Sequence, residues 1–155
     1  MTKDKKLLVS AIKDGTVIDH IHAGNALKII RLLNLAEHKK VVTVGLNLPS
    51  KSMGYKDIIK VADRELNEDE AGHIAILAPE ASINIIKDYE ITKKFNINIP
   101  EKIDYVMVCP NPKCITNNER METSFYVKPN HKQINLQCKY CEKTFKQEDI
   151  KDFNP

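Results

Sequence analysis

Four cysteines limit what this chain can fold into more than any other feature. Cys109 and Cys114 are spaced C-x4-C, 23 residues follow, and Cys138 and Cys141 close the pattern as C-x2-C. Each short-spaced pair suits a tight turn presenting two thiolates, and two such pairs suit tetrahedral coordination of one ion. Pro110 and Pro112 favour the first turn, and Lys139-Tyr140 leave room for a knuckle in the second. Four protein thiolates leave no open coordination position, so the pattern predicts one structural Zn2+ per chain rather than a catalytic one. The residual charge of such a site is offset in part by Lys113, Lys139 and Lys143. In a reducing compartment this clustering points to metal rather than to disulfides. A zinc module of this kind is small and all-β, and by itself it is silent on function.

The first hundred residues carry a different signature. Residues 5–12 and 16–21 read as strands around the turn signal Asp14-Gly15, and residues 25–36 as a helix with Ala26, Ile29, Ile30 and Leu33 on one stripe. A strand at 41–46, a loop holding Pro49 and Gly54, and a strand at 56–62 come next. Residues 67–77 open on acidic residues suited to a helix N-terminus, Pro79 closes that helix, and 82–88 and 89–97 are β-like. Short separations between neighbouring strands predict an α+β, ferredoxin-like unit: an antiparallel sheet with two helices on one face. Residues 98–101 read as a linker, giving one unit over 1–100 and a zinc-ribbon-like all-β unit over 101–155.

TVIDHI at 16–21, GLNLPS at 45–50, MGYKDIIK at 53–60, ILAPEASINIIKDYEI at 76–91, VCPNPKCITNNE at 108–119 and CKYCEKTF at 138–145 stand in a fixed order and spacing. In both they resemble the regulatory chain of aspartate carbamoyltransferase. The resemblance implies a chain with no catalytic activity of its own. It implies an N-terminal allosteric domain that binds CTP, ATP and UTP, and a zinc domain that docks on catalytic chains. It further implies a regulatory-chain homodimer within a twelve-chain assembly of pyrimidine biosynthesis. Carried over by position, Asp19 and Lys60 hold the ribose and part of the base, and His20, Asn84 and Lys94 meet the phosphates. The backbone at Ala11, Ile12 and Tyr89 reads the base, with Val17, Ile86 and Ile91 as apolar walls. A carboxylate accepting two ribose hydroxyls and lysines offsetting triphosphate charge are sound chemistry. This sequence departs from the family pattern at Ser10, His22 and Ala62-Asp63.

Strand alternation puts Lys56, Ile58, Lys60 and Ala62 on one face, and it predicts that the consecutive Asp19 and His20 point oppositely. Effector binding in residues 1–100 and docking beyond 104 would make any regulation pass through residues 99–103, stiffened by Pro100. No apolar stretch has the length of a membrane span or a signal core, so a cytoplasmic chain without a membrane partner is expected. Lys and Arg exceed Asp and Glu by two over residues 1–100 and by one over 101–155, with no basic stripe. Nucleic acid is therefore not the expected partner. The alternative is a nucleic-acid-binding zinc ribbon using Lys128, His131, Lys132 and Lys139 with Tyr126 and Tyr140 for stacking.

Overall fold

The computed structural model describes residues 9–95, 97–130 and 133–154. Its first sheet is antiparallel with strand order β2-β3-β1-β4-β5. These strands are β1 (Gly15–His22), β2 (Val42–Ser50), β3 (Gly54–Ala62), β4 (Ser82–Lys87) and β5 (Glu90–Phe95). Helix α1 (Ala26–Leu32) joins β1 to β2, and α2 (Glu68–Leu77) joins β3 to β4. The expected α+β arrangement is present, with β5 added as a second edge.

Cross-strand register explains the core. Val61, Thr16 and Ile85 form one row, and Ile59, Ile18 and Ile83 the next, all buried. Against them pack Ala26, Ile29 and Leu32 of α1 and Ala71, Ile74 and Leu77 of α2. Each large apolar side chain so buried contributes about 1.5–3 kcal/mol. Helix α2 starts where its caps dictate. Asn67 accepts from the Glu70 N–H at 2.8 Å, and the Glu70 carboxylate accepts from the Asn67 N–H at 3.2 Å.

Three elements differ from the sequence reading. Residues 5–8 lie outside the described residues, and residues 9–14 form no strand. Helix α1 ends at Leu32 rather than near 36, because Asn34 adopts a left-handed φ of 54°, after which Leu35–Glu37 form a 3-10 turn. Strand β2 runs on through Pro49 to Ser50. A proline is tolerated there because β2 is a sheet edge.

Asp57 of β3 is a buried carboxylate that the sequence did not flag. It accepts from the N–H groups of Gly24 at 2.9 Å and Ala26 at 3.3 Å, and so caps the entry to α1. Its other oxygen accepts from Asn47 N–H at 2.9 Å, fixing the irregular turn of β2.

The second sheet has the order β6-β7-β8-β9, built from β6 (Lys102–Asp104), β7 (Ser124–Asn130), β8 (Gln133–Cys138) and β9 (Thr144–Lys146). Ile103, Met107, Phe125, Leu136 and Ile150 fill its core. The two sheets are connected by more than the chain itself. Leu77 O, at the end of α2, accepts from Asn25 Nδ2 at 3.1 Å and from Gln147 Nε2. Lys28 and Arg31 of α1 donate to the carbonyls of Glu148 and Lys151. The covalent link through residues 99–103 therefore has non-covalent contacts beside it.

Candidate metal centre and effector face

The four cysteine sulfurs converge within 4.8 Å of one another. Cys109 Sγ and Cys141 Sγ are 3.8 Å apart, and Cys114 Sγ and Cys138 Sγ 3.7 Å. Tetrahedral thiolates about 2.3 Å from a zinc ion are about 3.8 Å apart, so the cluster has the dimensions of such a site. Cys138 ends β8, while Cys109 and Cys114 flank a turn held by Asn117, whose amide donates to the carbonyls of Cys109 and Asn111. Asn118 adds bonds from its amide to Pro112 O and Cys114 O. This asparagine scaffold, absent from the sequence reading, positions the first knuckle.

Burial pushes the Cys109 and Cys138 thiols up. Burial acts the same way on Cys114, but hydrogen bonds from the Thr116 hydroxyl and backbone, with the neighbouring cysteines, bring it down to about 7. A dication is what allows all four to be thiolates together, and its binding releases protons.

The face of the first sheet opposite the helices carries the other group of candidates. Register places Thr43, Lys60, Val17, Asn84 and Lys94 in one row across all five strands. Directly opposed residues share a face, so Lys60, Val17, Asn84 and Lys94 lie on the same side. Ile86 and Ile91 pair toward the β4–β5 turn. Asp19 opposes Ser82 further along β1.

Asp19 and His20 do not follow simple alternation. The register slips between Ile18 and Ile21, and His20 has a left-handed φ of 57°. A bulge inserts one residue and re-aims side chains. His20 Nδ1 lies 3.3 Å from Ser82 Oγ and 3.9 Å from the Asp19 carboxylate, so both candidates stand together. The Asp19 carboxylate also pairs with Lys56 at 2.9 Å.

Residues 9–14 cross this face. Lys60 Nζ donates to Val9 O at 3.1 Å and Ser10 O at 2.9 Å. Burial lowers the Lys60 pKa, and the nearby Asp19 charge works against that shift. Asp88 and Tyr89 both have positive φ, the geometry of a two-residue hairpin turn. Tyr89 N–H donates to Lys13 O at 2.9 Å and Asp88 N–H to the Asp14 carboxylate at 3.0 Å. These bonds hold the segment containing Ala11 and Ile12 beside the β4–β5 turn.

The family model described as aspartate carbamoyltransferase regulatory chain, allosteric domain, matches residues 7–98. The one described as the metal binding domain of that chain matches residues 101–151. The chain belongs to the aspartate carbamoyltransferase regulatory chain family. An aspartate carbamoyltransferase regulatory chain of Vibrio parahaemolyticus is 45% identical over 150 residues, covering 97% of this chain and 98% of the relative. Those of Yersinia pseudotuberculosis and Yersinia pestis are 49% identical over 145 residues, covering 94% of each chain.

Membership makes this a non-catalytic subunit with an allosteric and a metal-binding domain. Catalytic chains are the partners such a regulatory chain implies. None of its helices is long and apolar enough to cross a membrane, among the described residues. Of the residues of the nucleic-acid alternative, Lys139 places its nitrogen 5.7 Å from the Tyr140 ring centroid, and His131 and Lys132 lie outside the described residues. Sequence reasoning also missed Ser82 and Lys56 beside Asp19, and Thr43 at the end of the row. Register arithmetic from the β1–β4 and β2–β3 pairs would have found Ser82 and Thr43.

Proposed function

We propose that this regulatory chain binds nucleoside triphosphates (CTP, ATP and UTP) on the face of its first sheet opposite the helices, beside the crossing segment 9–14, and so controls a catalytic chain of pyrimidine biosynthesis. The observation that carries the reading is the cross-strand row of Lys60, Val17, Asn84 and Lys94 with the Asp19–His20 pair beside it, further along β1 from Val17. In this reading Asp19 and Lys60 take the ribose and base, and His20, Asn84 and Lys94 the phosphates. The backbone of Ala11, Ile12 and Tyr89 reads the base between Val17, Ile86 and Ile91. Tyr89 donates its N–H to Lys13 O, so its own amide is not a donor for the base. No Gly-rich phosphate loop is present in the sequence, so side chains carry the anion binding.

Cys109, Cys114, Cys138 and Cys141 hold one structural Zn2+ in the unit spanning 101–155. That unit docks on catalytic chains, a role supported by the exposed Ile115, Tyr126 and Tyr140 on it. The unit over 1–100 pairs with a second regulatory chain, in a twelve-chain assembly located in the cytoplasm. Exposed Leu46 on the edge strand β2, with exposed Val41 just before it and Tyr55 on the adjoining β3, supports that pairing.

Calorimetry on Lys60→Ala and Lys94→Ala tests the effector site. A charge-assisted contact is worth roughly 1.5–3 kcal/mol, so each substitution is expected to weaken CTP and ATP binding by about 10- to 150-fold. Zinc content and docking should stay unchanged. Wild-type nucleotide affinity in both variants would retire the assignment.

A further inference from the structure

Gly45 of β2 is buried and stands opposite Ile58 of β3, on the same side of the sheet as Lys56 and Lys60. Its backbone does not demand a glycine. The glycines with positive φ are Gly15, Gly24 and Gly54, and where the β2–β3 register shifts the left-handed residue is Asn47. What the glycine supplies is space. A Cβ at position 45 would stand 2.7 Å from Val9 Cγ2, 3.0 Å from Leu48 Cδ1 and 3.1 Å from Ile58 Cγ2. Ordinary carbon–carbon contacts lie at about 3.5–4.0 Å. Val9 therefore occupies the volume that a side chain at position 45 would fill.

A glycine within a strand often marks the close approach of another stretch of chain, and here that stretch is the crossing segment. Its first end is held at Val9, where Lys60 Nζ donates to Val9 O at 3.1 Å and to Ser10 O at 2.9 Å. The far end is held at Lys13 and Asp14. Lys13 O accepts from Tyr89 N–H at 2.9 Å, Asp14 O from Asp63 N–H at 3.0 Å, and the Asp14 carboxylate from Asp88 N–H at 3.0 Å. Ala11 and Ile12 lie between the two anchors, so the height of their main chain above the sheet is set from both sides.

We propose that Gly45 is a positioning residue of the effector site: the space above it seats Val9, and the seated Val9 sets how closely the main chain of Ala11 and Ile12 approaches a bound base. The inference rests on the effector reading above, in which that main chain reads the base. It brings β2, which supplies none of the side chains of that reading, into the site. In Gly45→Ala the nearest clash is with the end of a side chain and not with backbone. The sheet therefore keeps its pairing, and the segment carrying Val9 rises.

Three variants of the full zinc-loaded chain test it: Gly45→Ala, Gly45→Ala combined with Val9→Ala, and Val9→Phe. Calorimetry on Gly45→Ala should show CTP binding weakened roughly three- to tenfold, the loss of about one main-chain hydrogen bond. Adding Val9→Ala removes the clashing Cγ2 and should return the affinity to within about twofold of wild type. A glycine needed only for the fold of β2 would not be rescued by a change at Val9. Val9→Phe overfills the same space from the segment side, leaves the sheet untouched, and should weaken CTP binding as Gly45→Ala does. NMR titration of Lys60 gives a readout that needs no nucleotide. Burial holds its pKa below the usual 10.5, and lifting Val9 and Ser10 from it should move that pKa back toward 10.5 in Gly45→Ala and Val9→Phe, but not in the combined variant. An unchanged Lys60 titration in both, or no recovery in the combined variant, overturns the seat. Wild-type CTP affinity in both Gly45→Ala and Val9→Phe overturns the positioning role. If the wild-type chain binds no CTP, the effector reading fails while the Lys60 titration still decides whether Val9 is seated on Gly45.

Discussion

A single side chain can hold two elements in place, and Asp57 does so with one carboxylate. Its three N–H donors come from the approach to α1 and from the β2 turn, and all three would be left without their acceptor in Asp57→Ala. Buried hydrogen bonds to a charged group are the costly kind to lose, so the variant should lose about 2–4 kcal/mol in urea unfolding. Unchanged stability would mean that these amides find other acceptors. Lys60 gives a second test at this scale, through pH. Its pKa is lowered, chiefly by burial, so between that lowered value and 10.5 the folded chain binds fewer protons than the unfolded one. The lysine's contribution to stability therefore rises with pH through this window. A nucleotide contact needs the ammonium, so CTP affinity should fall across the same window. Lys60→Arg, which stays charged, should abolish that fall. A decline in CTP affinity that persists in Lys60→Arg would assign it to another group.

At the scale of elements, alternation and spacing in the sequence located the helices and most strands, because they reflect how side chains divide between core and solvent. They failed where a single backbone angle decides. Asn34 in a left-handed conformation shortens α1, and His20 in the same region turns two oppositely facing neighbours into one cluster. Neither position has a glycine to advertise it. Asp57 was equally hidden, since its donors are backbone amides about ten and thirty residues away in sequence. The cysteines were legible because their spacing is itself the geometry. The β7–β8 hairpin ends at Cys138, and its neighbours Met107 and Ile150 lie in segments with little regular structure. A unit of some fifty residues rarely stabilises itself by burial alone. Chelation of the metal, or Cys138→Ala, should therefore unfold residues beyond about 104 while β1 to β5 keep their exchange protection. Metal analysis should find one zinc per chain. A metal-free variant with an intact second sheet would refute the structural role of the ion.

Across the whole molecule, the covalent link through residues 99–103 and the hydrogen bonds between the helices and residues 147–151 both join the two units, and their magnitudes can be compared. Pro100 lies against α2, where a Cβ on Gly72 would come 3.7 Å from its Cδ. The link is thus seated as well as stiff. Inserting a six-residue Gly-Ser segment after Pro100 would unseat it, but lengthening a tether costs little, well under about 1 kcal/mol for a modest extension. The three side-chain contacts from Lys28, Arg31 and Gln147 to their carbonyl partners are worth about 0.5–1.5 kcal/mol each. Together they outweigh the lost tether stiffness, so the two units should remain docked with the insert present. The insertion is accordingly expected to preserve nucleotide binding and assembly, and to keep at least about half of the CTP effect on rate. Combining the insert with Gln147→Ala, Lys28→Met and Arg31→Met removes both routes, and the rate should then no longer respond to CTP although binding isotherms stay unchanged. Rate curves of the two variants beside the wild type decide between the routes. Complete loss of response with the insert alone would assign the coupling to the stiffness around Pro100, because the contacts of Lys28, Arg31 and Gln147 are intact in that variant and would have failed to carry it.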